Sequence, residues 1–110
     1  MLPLTVPVFQ ILLSLSDQDL HGYAIIQDIR ERTDNEVNLT ASTLYAAIKR
    51  LLDGGLLEEL DTRPGLEDDD PRRRYYRLTR LGTDVARLEA ARLERAVKMA
   101  RQKKLTPRRA

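Results

Sequence analysis

The sequence predicts a mainly α-helical fold with a small β-hairpin, and three observations carry that prediction. Apolar residues recur at helical spacing through 8–15, 23–29 and 44–51. Two short alternating stretches, 56–60 and 74–79, flank a connection containing Pro64-Gly65 and Pro71. A last helical pattern over 81–104 carries an apolar stripe further than a small domain could cover.

Residues 7–16 form the first helix, in which Val8, Phe9, Ile11, Leu12, Leu13 and Leu15 occupy nearly every side. That is the pattern of an element covered on more than one face. Ser16-Asp17-Gln18-Asp19 breaks the run, and a second helix begins around His21-Gly22 and reaches Arg32 on Tyr23, Ile25, Ile26 and Ile29. Thr33-Asp34-Asn35-Glu36 closes it as a polar turn, and Val37-Asn38-Leu39 is a short extended link.

Thr40 is a good N-cap for a third helix, and Gly54-Gly55 supplies a left-handed exit. The two faces of this helix have different jobs. At about 100° per residue, Leu44, Ala47, Ile48 and Leu51 form one apolar stripe, while Ser42, Thr43, Tyr45, Ala46, Lys49 and Arg50 cover the rest. Two hydroxyls, an aromatic ring and two cations suit a surface of phosphates and base edges. Helix, short turn and helix match a helix-turn-helix with the second helix turned outward.

The stretches 56–60 and 74–79 should pair, and alternation sets Tyr76 and Leu78 against Tyr75, Arg77 and Thr79. One of the two adjacent tyrosines is therefore expected to face the core and the other the exterior. Their connection, 61–73, is longer than an ordinary hairpin loop and is expected to project as a wing. Arg72-Arg73-Arg74 at its base suit either phosphates or a minor groove, or a solubilising patch on an edge strand. The acidic run Glu67-Asp68-Asp69-Asp70 reads first as a segment that keeps the loop soluble, and otherwise as one that holds the wing off DNA or engages the arginines in the free protein. Residues 1–80 thus read as a winged helix-turn-helix domain.

Residues 81–104 add a long C-terminal helix with two stripes. Leu81, Val85 and Leu88 are expected to pack on the chain's own domain. Ala86, Ala90, Leu93, Val97 and Ala100, at alternating spacings of four and three, read as a dimerisation seam with the same helix of a second copy. Residues 105–110, with Pro107, read as a disordered basic tail.

Composition narrows the function classes. A length of 110 residues and 42% apolar content fit one soluble domain with a modest core. Without cysteine there is no disulfide framework, thiolate metal site or cysteine nucleophile, and a reducing cytoplasm fits best. His21 is the sole histidine and is expected to serve the start of its helix; no metal site, cofactor or catalytic constellation is read, so an enzyme is not expected. The apolar stretch 2–15 carries Pro3 and Pro7, lacks a preceding positive region and is short for a bilayer, so no membrane contact is expected. The net charge of +2, from 19 basic and 17 acidic residues, decides little; the segregation of acidic and basic blocks implies an oriented field.

His21-Gly22-Tyr23, Thr43-Leu44-Tyr45, Leu51 to Leu57 as LLDGGLL, and Arg73-Arg74-Tyr75-Tyr76-Arg77-Leu78-Thr79 leading to Leu81-Gly82 follow one another in order. In this the chain resembles the PadR family of winged helix-turn-helix transcriptional regulators, in its short form with one C-terminal helix. The likeness spans roughly 7–104. It departs at Ser42 and Ala46, where the family commonly has glycine and proline, and in lacking tryptophan, so an aromatic sandwich built on that residue does not carry over.

The resemblance implies a homodimeric repressor whose first helix, through Phe9 and Leu12, and last helix build the interface. It implies that Ser42, Thr43, Tyr45 and Lys49 contact double-stranded DNA at bases or nearby phosphates, that Tyr23 supports a phosphate contact, and that Arg73 and Arg74 grip the backbone. Two such heads would read a pseudo-palindromic operator and be released by a small hydrophobic or aromatic effector. The rival reading is a winged-helix protein-interaction module that does not bind DNA.

Overall fold

The computed structural model describes residues 2–60 and 74–106. Seven elements follow in order: α1 Val6–Ser14, β1 Leu20–His21, α2 Gly22–Arg32, α3 Ala41–Asp53, β2 Leu57–Leu60, β3 Tyr75–Leu78 and α4 Arg80–Gln102. Winged helix-turn-helix architecture with a long C-terminal helix is therefore present. The connection 61–73, with Arg72, Arg73 and the acidic run at 67–70, lies outside the described residues, as do tail residues 107–110.

Side-chain caps fix where the helices begin. Thr5, Thr40 and Thr79 each accept a hydrogen bond from a backbone N–H of their helix's first turn, the Thr40 and Thr79 bonds measuring 3.1 and 3.0 Å. Each such cap is worth about 1 kcal/mol. Beyond α3, Gly54 is the cap and Gly55 takes the left-handed conformation at φ 78°. The stripe Leu44, Ala47, Ile48 and Leu51 is buried as its spacing predicts. It packs with Ile11, Leu12, Ile25 and Ile29 into one core.

The sheet differs from the expected hairpin. It has three antiparallel strands in the order β1-β3-β2, with His21 opposite Tyr75 and Leu57 opposite Leu78. A two-residue strand has no periodicity to read. Its presence also corrects the expectation for Tyr75 and Tyr76: they point to opposite faces, yet both are buried. The His21 ring meets Tyr75 edge-on at 5.3 Å between centroids and closes the face expected to be open.

Two further expectations are corrected. Leu12 is 0% exposed within the chain's own core, so its side chain has no surface left for a dimer contact. On α4, Val85 is buried, but Leu81 and Leu88 stand 47% and 59% exposed. The face that meets the domain runs through Gly82, Val85 and Glu89 instead, with Ala86 packed at its edge.

Gly82 explains how α4 comes so close: a Cβ there would overlap the Leu56 carbonyl. Around it the Thr79 N–H donates to that carbonyl at 3.1 Å, and the Thr79 hydroxyl donates to the Gly55 carbonyl at 2.6 Å. The domain and the long helix are joined by backbone contact. Glu89, only 1% exposed, accepts from the Leu4 N–H at 2.9 Å and from Arg92 at 2.5 and 3.1 Å, which ties the N-terminal segment to α4.

Candidate nucleic-acid interface

With its apolar stripe in the core, α3 presents Ser42, Thr43, Tyr45, Lys49 and Arg50 on the exposed side. Ser42 and Thr43 lie in the first turn, where backbone N–H groups point outward and the dipole favours anions. Thr40 occupies one of those groups, and its hydroxyl also donates to the Thr43 oxygen at 3.0 Å. Lys49 has a loose ion pair with Asp53 at 3.8 Å on a well-exposed surface, which water and salt weaken.

Tyr45 ties α3 to α2. Its ring lies across Gly22, where a Cβ would overlap the hydroxyl, so the glycine of His21-Gly22-Tyr23 and the tyrosine of Thr43-Leu44-Tyr45 are two halves of one contact. Tyr45 still keeps 48% of its surface exposed. On the first turn of α2, Tyr23 is 60% exposed, and its ring lies parallel to His21 at 6.5 Å. The His21 Nδ1 accepts from the Ala24 N–H at 3.2 Å, the helix-start role expected for it. This requires an unprotonated Nδ1.

Three residues missed in the sequence extend this surface. Gln27 donates to the Tyr23 hydroxyl at 3.2 Å, and Arg30 donates to Asn38 at 3.2 Å just before the cap of α3. Tyr23, Gln27 and Arg30 follow at spacings of four and three, so the exposed face of α2 carried a readable signal. Asn38 gave none.

At the wing base the arginines divide. Arg77 holds Asp19 through two bonds at 2.9 and 3.2 Å and reaches Glu58 at 3.9 Å; the bonds and charge of Asp19 raise its pKa. Arg74 is more exposed and pairs with Glu59 at 3.1 Å. Tyr76, between strand and core, has its pKa raised by burial and then by the charge of Glu59, so it remains a neutral hydroxyl. Arg72 and Arg73 lie outside the described residues.

Of the residues expected to form a seam, Ala90, Leu93 and Val97 on α4 are exposed, Ala86 and Ala100 are half-buried, and Phe9 on α1 is half-buried. Among the described residues no cluster of histidines and carboxylates could hold a metal ion, and no helix is long and apolar enough to cross a membrane.

Known proteins are similar to this chain in sequence or fold. An uncharacterized protein of Lysinibacillus sphaericus is 38% identical over 72 residues, covering 66% of this chain and 63% of that protein's length. A PadR family transcription regulator from Clostridium difficile superposes with a TM-score of 0.76 at 28% identity, covering 89% of this chain and 97% of that one. Bacillus subtilis PadR, solved in complex with operator DNA, gives 0.63 at 25% identity, over 76% of this chain and 45% of that one. Residues 11–88 match the transcriptional regulator PadR-like family across helix-turn-helix, sheet and the first turns of α4, and the chain belongs to that family.

Proposed function

We propose that this protein is a sequence-specific, homodimeric transcriptional repressor that acts in the cytoplasm on a pseudo-palindromic operator. The observation that carries the reading is α3 itself: one face is anchored in the core, and the other offers Ser42, Thr43, Tyr45 and Lys49 to a major groove. Tyr23 follows Gly22, which the Tyr45 ring covers, Arg74 pairs with Glu59 at the end of the sheet, and Arg72 and Arg73 belong to the same basic block as Arg74. The operator complex of the Bacillus subtilis relative supports DNA as the partner.

The dimer rests on the exposed Ala90, Leu93 and Val97 of α4, with Ala86, Ala100 and Phe9 at the margins. Two-fold symmetry then sets half-sites about one helical turn apart. A small hydrophobic or aromatic effector would release DNA by altering the spacing of the heads.

Selection of bound fragments from genomic DNA by the purified protein, followed by titrations at several salt concentrations, tests the reading. A shared palindromic sequence with steeply salt-dependent affinity is expected. Failure to bind any duplex at low salt would favour the protein-interaction module.

A further inference from the structure

β2 carries two adjacent glutamates, and their environments differ. In the antiparallel register Glu58 lies opposite Arg77 and Glu59 opposite Tyr76, so the pairs fall on opposite faces of the sheet. The Glu58 face holds Arg77, already bound by both oxygens of Asp19. Arg77 is committed to joining β3 to the segment before α2. The Glu59 face is the one that buries Leu57 and Tyr76 beside α3, and its far end carries Arg74 as the diagonal neighbour of Glu59.

Arg74 therefore sits on the same side of the sheet as the recognition helix, and among the described residues its guanidinium meets one carboxylate oxygen, that of Glu59 at 3.1 Å. That contact uses one N–H of a fork with five. The Arg74 side chain is 69% exposed, so the pair is weak and readily exchanged. A phosphate oxygen makes the same bond with the same geometry.

We propose that Glu59 is the built-in competitor of the DNA phosphate for Arg74, a residue that holds the wing-base arginine in position in the free protein and limits affinity for DNA of any sequence. The proposal rests on the DNA-binding reading above. When phosphate takes Arg74, the carboxylate of Glu59 is left beside a second anion. The resulting repulsion is sequence-independent, because a phosphate contact carries no base information.

The test compares wild type, Glu59→Gln, Glu58→Gln, Arg74→Ala and the Glu59→Gln/Arg74→Ala double variant. Each is titrated with the selected operator and with random duplex between about 50 and 200 mM salt. Glu59→Gln should bind both duplexes about two- to fivefold more tightly at the lowest salt. Its plot of log affinity against log salt should steepen by up to about one unit. The gain should vanish when Arg74 is already alanine, and Glu58→Gln should lack it.

An unchanged or weakened Glu59→Gln, a gain that survives in the double variant, or an equal gain in Glu58→Gln would overturn the proposal. The last outcome would reduce the effect to net charge. A wild-type protein that binds no duplex would overturn the DNA-binding reading first and the role of Glu59 with it.

Discussion

The backbone N–H of Leu4 donates to the carboxylate of Glu89 at 2.9 Å, joining residues 85 positions apart. The Arg92 hydrogen bonds hold the Glu89 carboxyl below the ordinary carboxylate range; burial opposes them, and the Leu4 amide and the Arg92 charge add to them. A folded-state pKa below the unfolded value means that this contribution is complete above the unfolded value and is lost as pH falls through the folded one. Denaturant unfolding between about pH 3 and 7 should show wild type losing stability below about pH 4.5. Glu89→Gln should be less stable at neutral pH and flatter below it. Parallel profiles would remove Glu89 from the account of acid sensitivity.

Gly22 and Gly82 both admit a close neighbour, but of different kinds. At Gly22 the neighbour is the half-exposed Tyr45 ring, which can swing outward; at Gly82 it is the backbone carbonyl of Leu56, which cannot. Gly22→Ala should therefore cost less than about 1.5 kcal/mol in stability while weakening DNA binding through the displaced Tyr45. Gly82→Ala should cost about 3 kcal/mol or more. Denaturation midpoints of the two variants check the order, and equal costs would contradict it.

Tyr45 and Arg74 should fail differently as DNA contacts. Tyr45→Ala is expected to cost about 1–3 kcal/mol of operator affinity and to change the preferred sequence, while leaving the salt slope nearly constant. Arg74→Ala should weaken all duplexes alike and reduce the slope by about one unit. Competition between operator and random DNA separates them; an identical loss of specificity in both would undo the assignment.

Leu93 and Leu12 test the proposed dimer from opposite sides. Leu93→Glu places a charge on the exposed seam and should give monomers by light scattering with poor operator binding, the fold being retained. Leu12→Ala empties a fully buried site and should cost about 2–5 kcal/mol without a seam-specific effect on association. A Leu93→Glu protein of unchanged mass and affinity would refute the seam.

Local chemistry made much of this fold legible. The Thr40 cap, the Gly54-Gly55 exit and the spacing of Leu44, Ala47, Ile48 and Leu51 act within one or two turns, so α3 could be read with both of its faces. What escaped depends on distant chain. β1 exists because Leu20 and His21 pair with Tyr76 and Tyr75, and it buries a tyrosine that alternation had placed outside. Glu89 looked like one more residue in a local pair with Arg92 on a charged helix, since its other partner is the backbone N–H of the distant Leu4. Glu59 likewise acquires meaning only from its register against Tyr76 and the diagonal to Arg74.

The joint at Gly82 turns α4 into a rigid lever. Its 23 residues span about 35 Å, and its junction with the head is bonded through Thr79 to two carbonyls, with no compliant linker between. A tilt of about 10° at the far end would move the head by about 6 Å, roughly the width of a DNA minor groove. In the proposed dimer, a ligand that changes how two such levers cross would need to rearrange only a few side chains at the pivot to carry both recognition helices out of register with their grooves.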